Sequence, residues 1–146
     1  MWLLQVDGRD NTTRLTKDGI LVSTTCYTGN FEKGGFNNPQ MGSVKDVGPL
    51  PEGLYRIEGP PFTHPLRGPY CLRLIPDRGT EMYGRDGMLI HGKPLPPRDI
   101  RTGSDGCLCA DHDVRMKIYQ SADIVLQVLY INAGIVQDSS QTEVVT

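Results

Sequence analysis

Two short segments carry residue types that can do covalent chemistry. One is Met88-Leu89-Ile90-His91-Gly92 and the other is Ser104-Asp105-Gly106-Cys107-Leu108. A cysteine is a strong nucleophile only as the thiolate, so it needs a base or a cation nearby. Histidine has the proton affinity for that task near neutral pH. His91 closes one apolar stretch and Cys107 opens another. If these stretches are neighbouring strands, the imidazole comes within roughly 3–4 Å of the sulfur, allowing for the looser contacts of an unliganded site. An imidazolium at that distance favours the thiolate and lowers the thiol pKa. Gly106 lets the backbone turn tightly and approach a substrate. A turn at that place can also aim backbone N–H groups at a developing oxyanion. The same pair of residues is equally what a core thiol and a satisfied strand-end histidine look like. A second chemistry uses overlapping atoms: Cys107, Cys109, His112 and His91 have the right donors for zinc. Against it, Cys-x-Cys puts both thiols on one face of a strand and no second ligand pair of matching spacing follows. Of the remaining histidines, His64 falls in Thr63-His64-Pro65 and reads as an exposed loop residue. His112 belongs to a helix start, or is the third group that orients His91.

The elements that must position these residues are mostly strands. Residues 2–6 form a first short strand, and 7–18 are polar and turn-like. Residues 20–27 are rich in β-branched side chains and read as one strand. A long glycine-bearing loop covers 28–47, of the kind that serves as a lid or substrate wall. Gly48-Pro49-Leu50-Pro51-Glu52-Gly53 is a rigid turn feeding a strand at 54–58. Residues 60–69 make a proline-rich crossing, followed by strands at 70–75 and 88–91. After a loop at 93–103, residues 107–110 are extended. Residues 111–122 are the one strong helix, capped by Asp111 or Asp113, with Val114 and Ile118 four apart on one face. Residues 123–131 are nearly unbroken apolar and read as a buried central strand. The expected fold is therefore mostly β, a small sandwich or partly open barrel with one short helix after Cys107.

Composition agrees. The 146 residues fit one domain, placed at 1–136, with a polar tail at 137–146. Seventeen glycines and eleven prolines are too many for a helix bundle. The net charge of −2, with no basic tract, argues against nucleic acid as a partner. No apolar run approaches the ~18 residues that span a bilayer. Met1-Trp2-Leu3-Leu4-Gln5-Val6-Asp7 lacks the basic start of a secretory signal. The expectation is a chain made in the cytoplasm and kept there, or exported by a route that reads no N-terminal signal. Cys26 and Cys71 sit in apolar stretches and read as buried thiols. A disulfide between them stays open for a protein that works outside a cytoplasm.

His91-Gly92, a spacer, then Ser104-Asp105-Gly106-Cys107 resembles the signature of L,D-transpeptidase catalytic domains. Gly48-Pro49-Leu50-Pro51-Glu52-Gly53-Leu54-Tyr55-Arg56-Ile57 is similar to a turn and strand typical of the type VI secretion L,D-transpeptidase effector family. The likeness runs over roughly residues 1–131. It implies a transpeptidase-like β fold and acyl transfer on peptidoglycan stem peptides. In that reaction a thiolate attacks the carbonyl of the diaminopimelate at position three and the terminal D-alanine leaves. Water then gives a trimmed stem, and an amine gives exchange or a cross-link. Carried onto this chain, Cys107 is the nucleophile, His91 the base and Ser104 an orienting group. The Gly106 and Cys107 amides are the oxyanion donors. Many such enzymes have arginine or asparagine two residues after the nucleophile, where this chain has Cys109. Arg115, or Arg98 and Arg101 in the preceding loop, would then meet the substrate carboxylate, with Gly92 lining the same site. The resemblance implies no metal or organic cofactor. It does imply a secretion-system carrier, a cognate immunity protein, and action in the periplasm of a target bacterium. The rival of a different class is a cell-wall binding module with an unreactive Cys107.

Overall fold

A computed structural model of the chain describes residues 1–94 and 104–132. The first strand, β1 (Trp2–Asp7), shows the period of two that a half-buried strand requires, with Trp2, Leu4 and Val6 turned inward. The polar stretch after it is not merely a turn. Residues Thr12–Lys17 return as β2, antiparallel to β1, with Asp7 opposite Thr12 and Trp2 opposite Lys17. Thr13 and Leu15 point into the core, so pairing and one buried leucine outweigh the polar composition.

The strand expected over 20–27 is two strands. Ile20–Ser23 (β3) pairs with β2, whereas Tyr27–Thr28 (β4) pairs with a strand at the far edge of the sheet. The chain must break between them because its two halves serve opposite edges. The loop that follows holds a short 3-10 turn at Pro39–Met41.

Gly53–His64 (β5) and Gly68–Pro76 (β6) form a long antiparallel hairpin. The prolines expected to end the first of these do not. Gly59-Pro60-Pro61 lies where the register shifts between Glu58 and Phe62, and a bulge asks no ladder N–H of proline. Leu89–His91 (β7) follows β6 antiparallel, and Leu108–Cys109 (β8) lies parallel to β7 with Ile90 opposite Leu108 and His91 opposite Cys109. The helix α1 (His112–Gln120) packs on β6 and buries Val114 and Ile118 in the core. Asp111 stands at its N-cap but makes no capping bond; its carboxylate meets Thr25 Oγ1 at 3.0 Å and Lys93 Nζ at 3.3 Å instead.

Val125–Ile131 (β9) inserts between β1, to which it is parallel, and β5, to which it is antiparallel. It is central in the strand order but not buried on both faces. Leu126 and Val128 are in the core, while Val125 and Leu129 are 39% and 36% exposed. Among the described residues the result is one open nine-stranded sheet in the order β3-β2-β1-β9-β5-β6-β7-β8-β4. It is mostly β with a single helix among the described residues, as the strand-rich pattern leads one to expect. The core joins inward residues of β1, β2, β5, β6, β7, β8 and β9 with those of α1. Cys26 and Cys71 are both buried and free. Among the described residues no helix is long and apolar enough to cross a membrane. The expected boundary at 136 and the tail at 137–146 lie outside the described residues.

Candidate active site

The parallel pairing of β7 and β8 brings the two chemical segments together, because His91 and Cys109 are register partners and Cys107 lies two residues before Cys109. His91 is fully buried. Its Nδ1 lies 2.8 Å from the Gly92 carbonyl, a contact that needs a proton on Nδ1 and so leaves Nε2 unprotonated in the neutral ring. A backbone carbonyl thus takes the orienting role considered for His112, whose ring instead meets Tyr70 edge-on at 5.2 Å. The sulfur in contact with the imidazole is Cys109 Sγ, 3.5 Å from Nδ1 and 3.8 Å from Nε2. Cys107 Sγ accepts from Leu89 N–H at 3.4 Å and lies 3.9 Å from the Gly87 carbonyl. Among the described residues, no hydrogen bond joins Cys107 to His91.

The protonation states differ from the sequence expectation. Burial pushes the His91 imidazole down to about 4, against the weaker upward pull of the Gly92 carbonyl. Burial also pushes the Cys107 thiol up, only partly opposed by the Leu89 N–H. Desolvation therefore outweighs proximity, and the resting pair is a neutral thiol and a neutral imidazole rather than a preformed ion pair. Cys109 is driven further, up to about 12, again by burial. Its thiol stays protonated at any physiological pH.

The loop that carries Cys107 is pinned from several directions. Ser104 is buried; its Oγ donates to the Cys107 carbonyl at 2.8 Å and accepts from Gly106 N–H at 3.1 Å and Gly29 N–H at 3.3 Å. Ser104 thus orients this loop, while the Gly106 amide is already engaged and does not point to an oxyanion. Thr28 Oγ1 donates to the Gly106 carbonyl at 3.2 Å and accepts from Leu50 N–H at 2.8 Å. Gly106 itself has φ +133, and a Cβ there would fall 2.2 Å from Arg85 Nη2. The close approach this glycine permits is to a buried arginine of the same chain.

Cys107 opens into a cavity of about 230 Å³ whose lining includes His64, Arg67, Arg85 and Asp105. A larger cavity of about 610 Å³ adjoins Gly92 and includes Arg67, Tyr70, Lys93, His112 and Arg115. Arg67, at the tip of the β5–β6 hairpin, lines both and pairs with Asp105 at 3.4 Å. Arg115 is 6% exposed rather than solvated. It donates through Nε to the Ala110 carbonyl and through Nη1 to those of Pro69 and Tyr70, at 2.8–3.0 Å. Its Nη2 lies against Gly92, where a Cβ would fall 2.7 Å away. Arg98 and Arg101 lie outside the described residues. His64, expected in an exposed loop, ends β5 and lines the Cys107 cavity, its Nδ1 accepting from Leu66 and Arg67 N–H at 3.1 and 3.2 Å. Sequence reasoning missed His64, Arg67 and Arg85, because each reaches the cavity through the hairpin or a turn and carries no local motif. Among the described residues, no three His, Cys, Asp or Glu side chains converge as a metal set.

Comparison with known proteins agrees with the fold. The chain is similar in fold to an L,D-transpeptidase from Stackebrandtia nassauensis, with 16% identity and a TM-score of 0.50, over 90% of this chain and 57% of that one. It is similar also to Bd1075 of Bdellovibrio bacteriovorus, with 18% identity and a TM-score of 0.51, over 88% of this chain and 47% of that one. The chain thus spans about half the length of these structures. No curated protein matches it by sequence. The Tlde1 domain model matches residues 23–131, a span that contains the Gly48–Gly53 turn, His91 and Cys107. The chain belongs to the Tlde1 domain family, that of the type VI secretion L,D-transpeptidase effectors.

Proposed function

We propose that this chain catalyses cysteine-dependent acyl transfer on peptidoglycan stem peptides, as an L,D-transpeptidase, an L,D-carboxypeptidase or both. The observation that carries this reading is the placement of Cys107 at a cavity, next to the strand pair that holds a neutral His91 with its Nδ1 on a backbone carbonyl. The imidazole is a base before substrate arrives. The first step requires Cys107 Sγ to exchange Leu89 N–H for His91 Nε2, a tightening common when unliganded sites bind substrate. His91 takes the thiol proton as the sulfur attacks the diaminopimelate carbonyl. The C–N bond to the terminal D-alanine then breaks, and His91 returns the proton to the departing amine. The resulting thioester is resolved by water, giving a trimmed stem, or by an amine, giving exchange or a cross-link. The Cys107 amide remains the candidate oxyanion donor, since that of Gly106 is engaged.

Arg115 and Gly92 line the larger cavity, where a substrate carboxylate would meet a largely buried guanidinium. Arg98 and Arg101 are candidates for the same role from the neighbouring loop. Membership in an effector family supports delivery by a secretion-system carrier into a target bacterium, action in its periplasm, and a cognate immunity protein in the producer.

The test is incubation with a purified tetrapeptide muropeptide and mass spectrometry of protein and products. A tripeptidyl adduct on Cys107 and release of D-alanine are expected. Cys107→Ala should fold and show neither. Turnover retained in Cys107→Ala would refute the mechanism. Binding without an adduct in the wild type would favour the cell-wall binding module.

A further inference from the structure

Arg85 is 3% exposed and makes no ion pair within 4 Å among the described residues, although the Asp46 carboxylate of the same cavity acts on it from farther away. Its Nη1 donates to the carbonyls of Gly42 at 2.6 Å and Pro49 at 2.8 Å, and its Nη2 to that of Gly48 at 2.8 Å. Its Nε is buried with no hydrogen-bond partner. A buried guanidinium hydrogen-bonded only to carbonyls is expensive to keep unless its charge has a use. Its position supplies one. Nη2 occupies the space where Gly106 lacks a side chain, one residue before Cys107, and Arg85 lines the cavity into which Cys107 opens.

Two bridges therefore tie the Gly48-Pro49-Leu50 turn to the nucleophile loop. Thr28 Oγ1 links Leu50 N–H to the Gly106 carbonyl. Arg85 gathers the Gly48 and Pro49 carbonyls and lies against Gly106. Only the second carries charge. Resting on the reading of Cys107 as nucleophile, we infer that Arg85 is a positioning residue that fixes the Gly106–Cys107 turn and lends its buried positive charge to the thiolate. The charge acts when the proton leaves the sulfur, adding to that of Arg67 and opposing that of Asp105, which face the thiol across the same cavity, since a cation in a low-dielectric site favours the anion formed there. The geometric part follows from the glycine: the guanidinium can lie against the turn, and hold it to the Gly48 and Pro49 carbonyls, only because Gly106 has no Cβ.

The experiment compares wild type, Arg85→Lys and Arg85→Met in two readouts. These are the pH profile of Cys107 alkylation by iodoacetamide, followed by mass spectrometry, and the kcat and KM of D-alanine release from a tetrapeptide muropeptide. Arg85→Met should move the alkylation midpoint upward by about one pH unit, a tenfold loss of thiolate at fixed pH. Arg85→Lys keeps the charge and loses the fork, so its midpoint should stay near that of wild type while kcat falls about tenfold or more with KM little changed. Wild-type profiles and kcat in both variants would overturn the inference. If Arg85→Met does not fold, Arg85→Lys decides alone, and a wild-type kcat there overturns it. Failure of the underlying reading looks different: the wild-type protein itself would then form no Cys107 adduct.

Discussion

The neutrality of His91 makes a stability prediction that does not depend on catalysis. The imidazole is fully buried and its pKa falls from the ordinary 6.5 to about 4. A histidine whose folded pKa lies below its unfolded value binds fewer protons in the native state. Between pH 6.5 and about 4 the unfolded chain takes up the extra proton, so stability rises with pH across that window and is lost as pH falls through it. From one proton linkage, the loss relative to pH 8 is about 2 kcal/mol at pH 5 and about 3 kcal/mol at pH 4. The carboxyls of Asp123, Asp18 and Asp7 are held low by hydrogen bonds from the N-terminal amine, Lys17 and Asn132 respectively. Their contributions are present above the unfolded carboxylate value and are lost only below about pH 4. The two windows therefore separate. Urea unfolding at pH 8, 6, 5 and 4.5 should show a wild-type stability that declines by about 2 kcal/mol between the first and third points. His91→Gln, which cannot titrate, should be less stable at pH 8 but flat from pH 8 to 5. An equal decline in both proteins, or a flat wild type, would refute the placement of a neutral imidazole in this core.

Three further outcomes follow from particular contacts. Cys109→Ser replaces a fully buried sulfur that packs on His91, so it should cost about 1–3 kcal/mol in denaturant unfolding yet still form the Cys107 adduct; a variant as inert as Cys107→Ala would demand a paired-thiol role. Ser104→Ala removes the contacts that pin the nucleophile loop at the Cys107 carbonyl and at the Gly106 and Gly29 amides, so kcat should fall about 10–100-fold with the fold intact by circular dichroism; an unchanged kcat would show that Thr28 and Arg85 suffice. Leu15→Ala empties a fully buried site on β2 and should cost about 2–5 kcal/mol, whereas a loss under about 0.5 kcal/mol would mean that residues 12–17 are the polar turn their composition describes.

How far the sequence reaches is clearest element by element. Period-two burial in β1, the apolar runs of β6 and β9, and the 114/118 spacing of α1 are local patterns, and the structure keeps them because local and tertiary preferences agree. That the two chemical segments become neighbours was legible for the same reason, since β7 and β8 do pair, but the sulfur in contact with His91 is that of Cys109. What only the tertiary structure decided is whatever depends on partners distant in the chain. Residues 12–17 become a strand because β1 offers an edge, and residues 20–27 split because β3 and β4 serve opposite ends of the sheet. Prolines 60 and 61 remain in β5 because they fall at a bulge. The protonation states reverse the expectation from residue type because burial, which no motif encodes, outweighs the pairing that the motif does encode. Arg85 has no signal at all in the sequence. Its role exists only where the Gly48 turn, the loop at Gly42 and the glycine before Cys107 converge on one guanidinium. Residue type and spacing can name a candidate nucleophile and a candidate base, but long-range packing sets their charge and their support, because desolvation and clamping depend on every group that surrounds them.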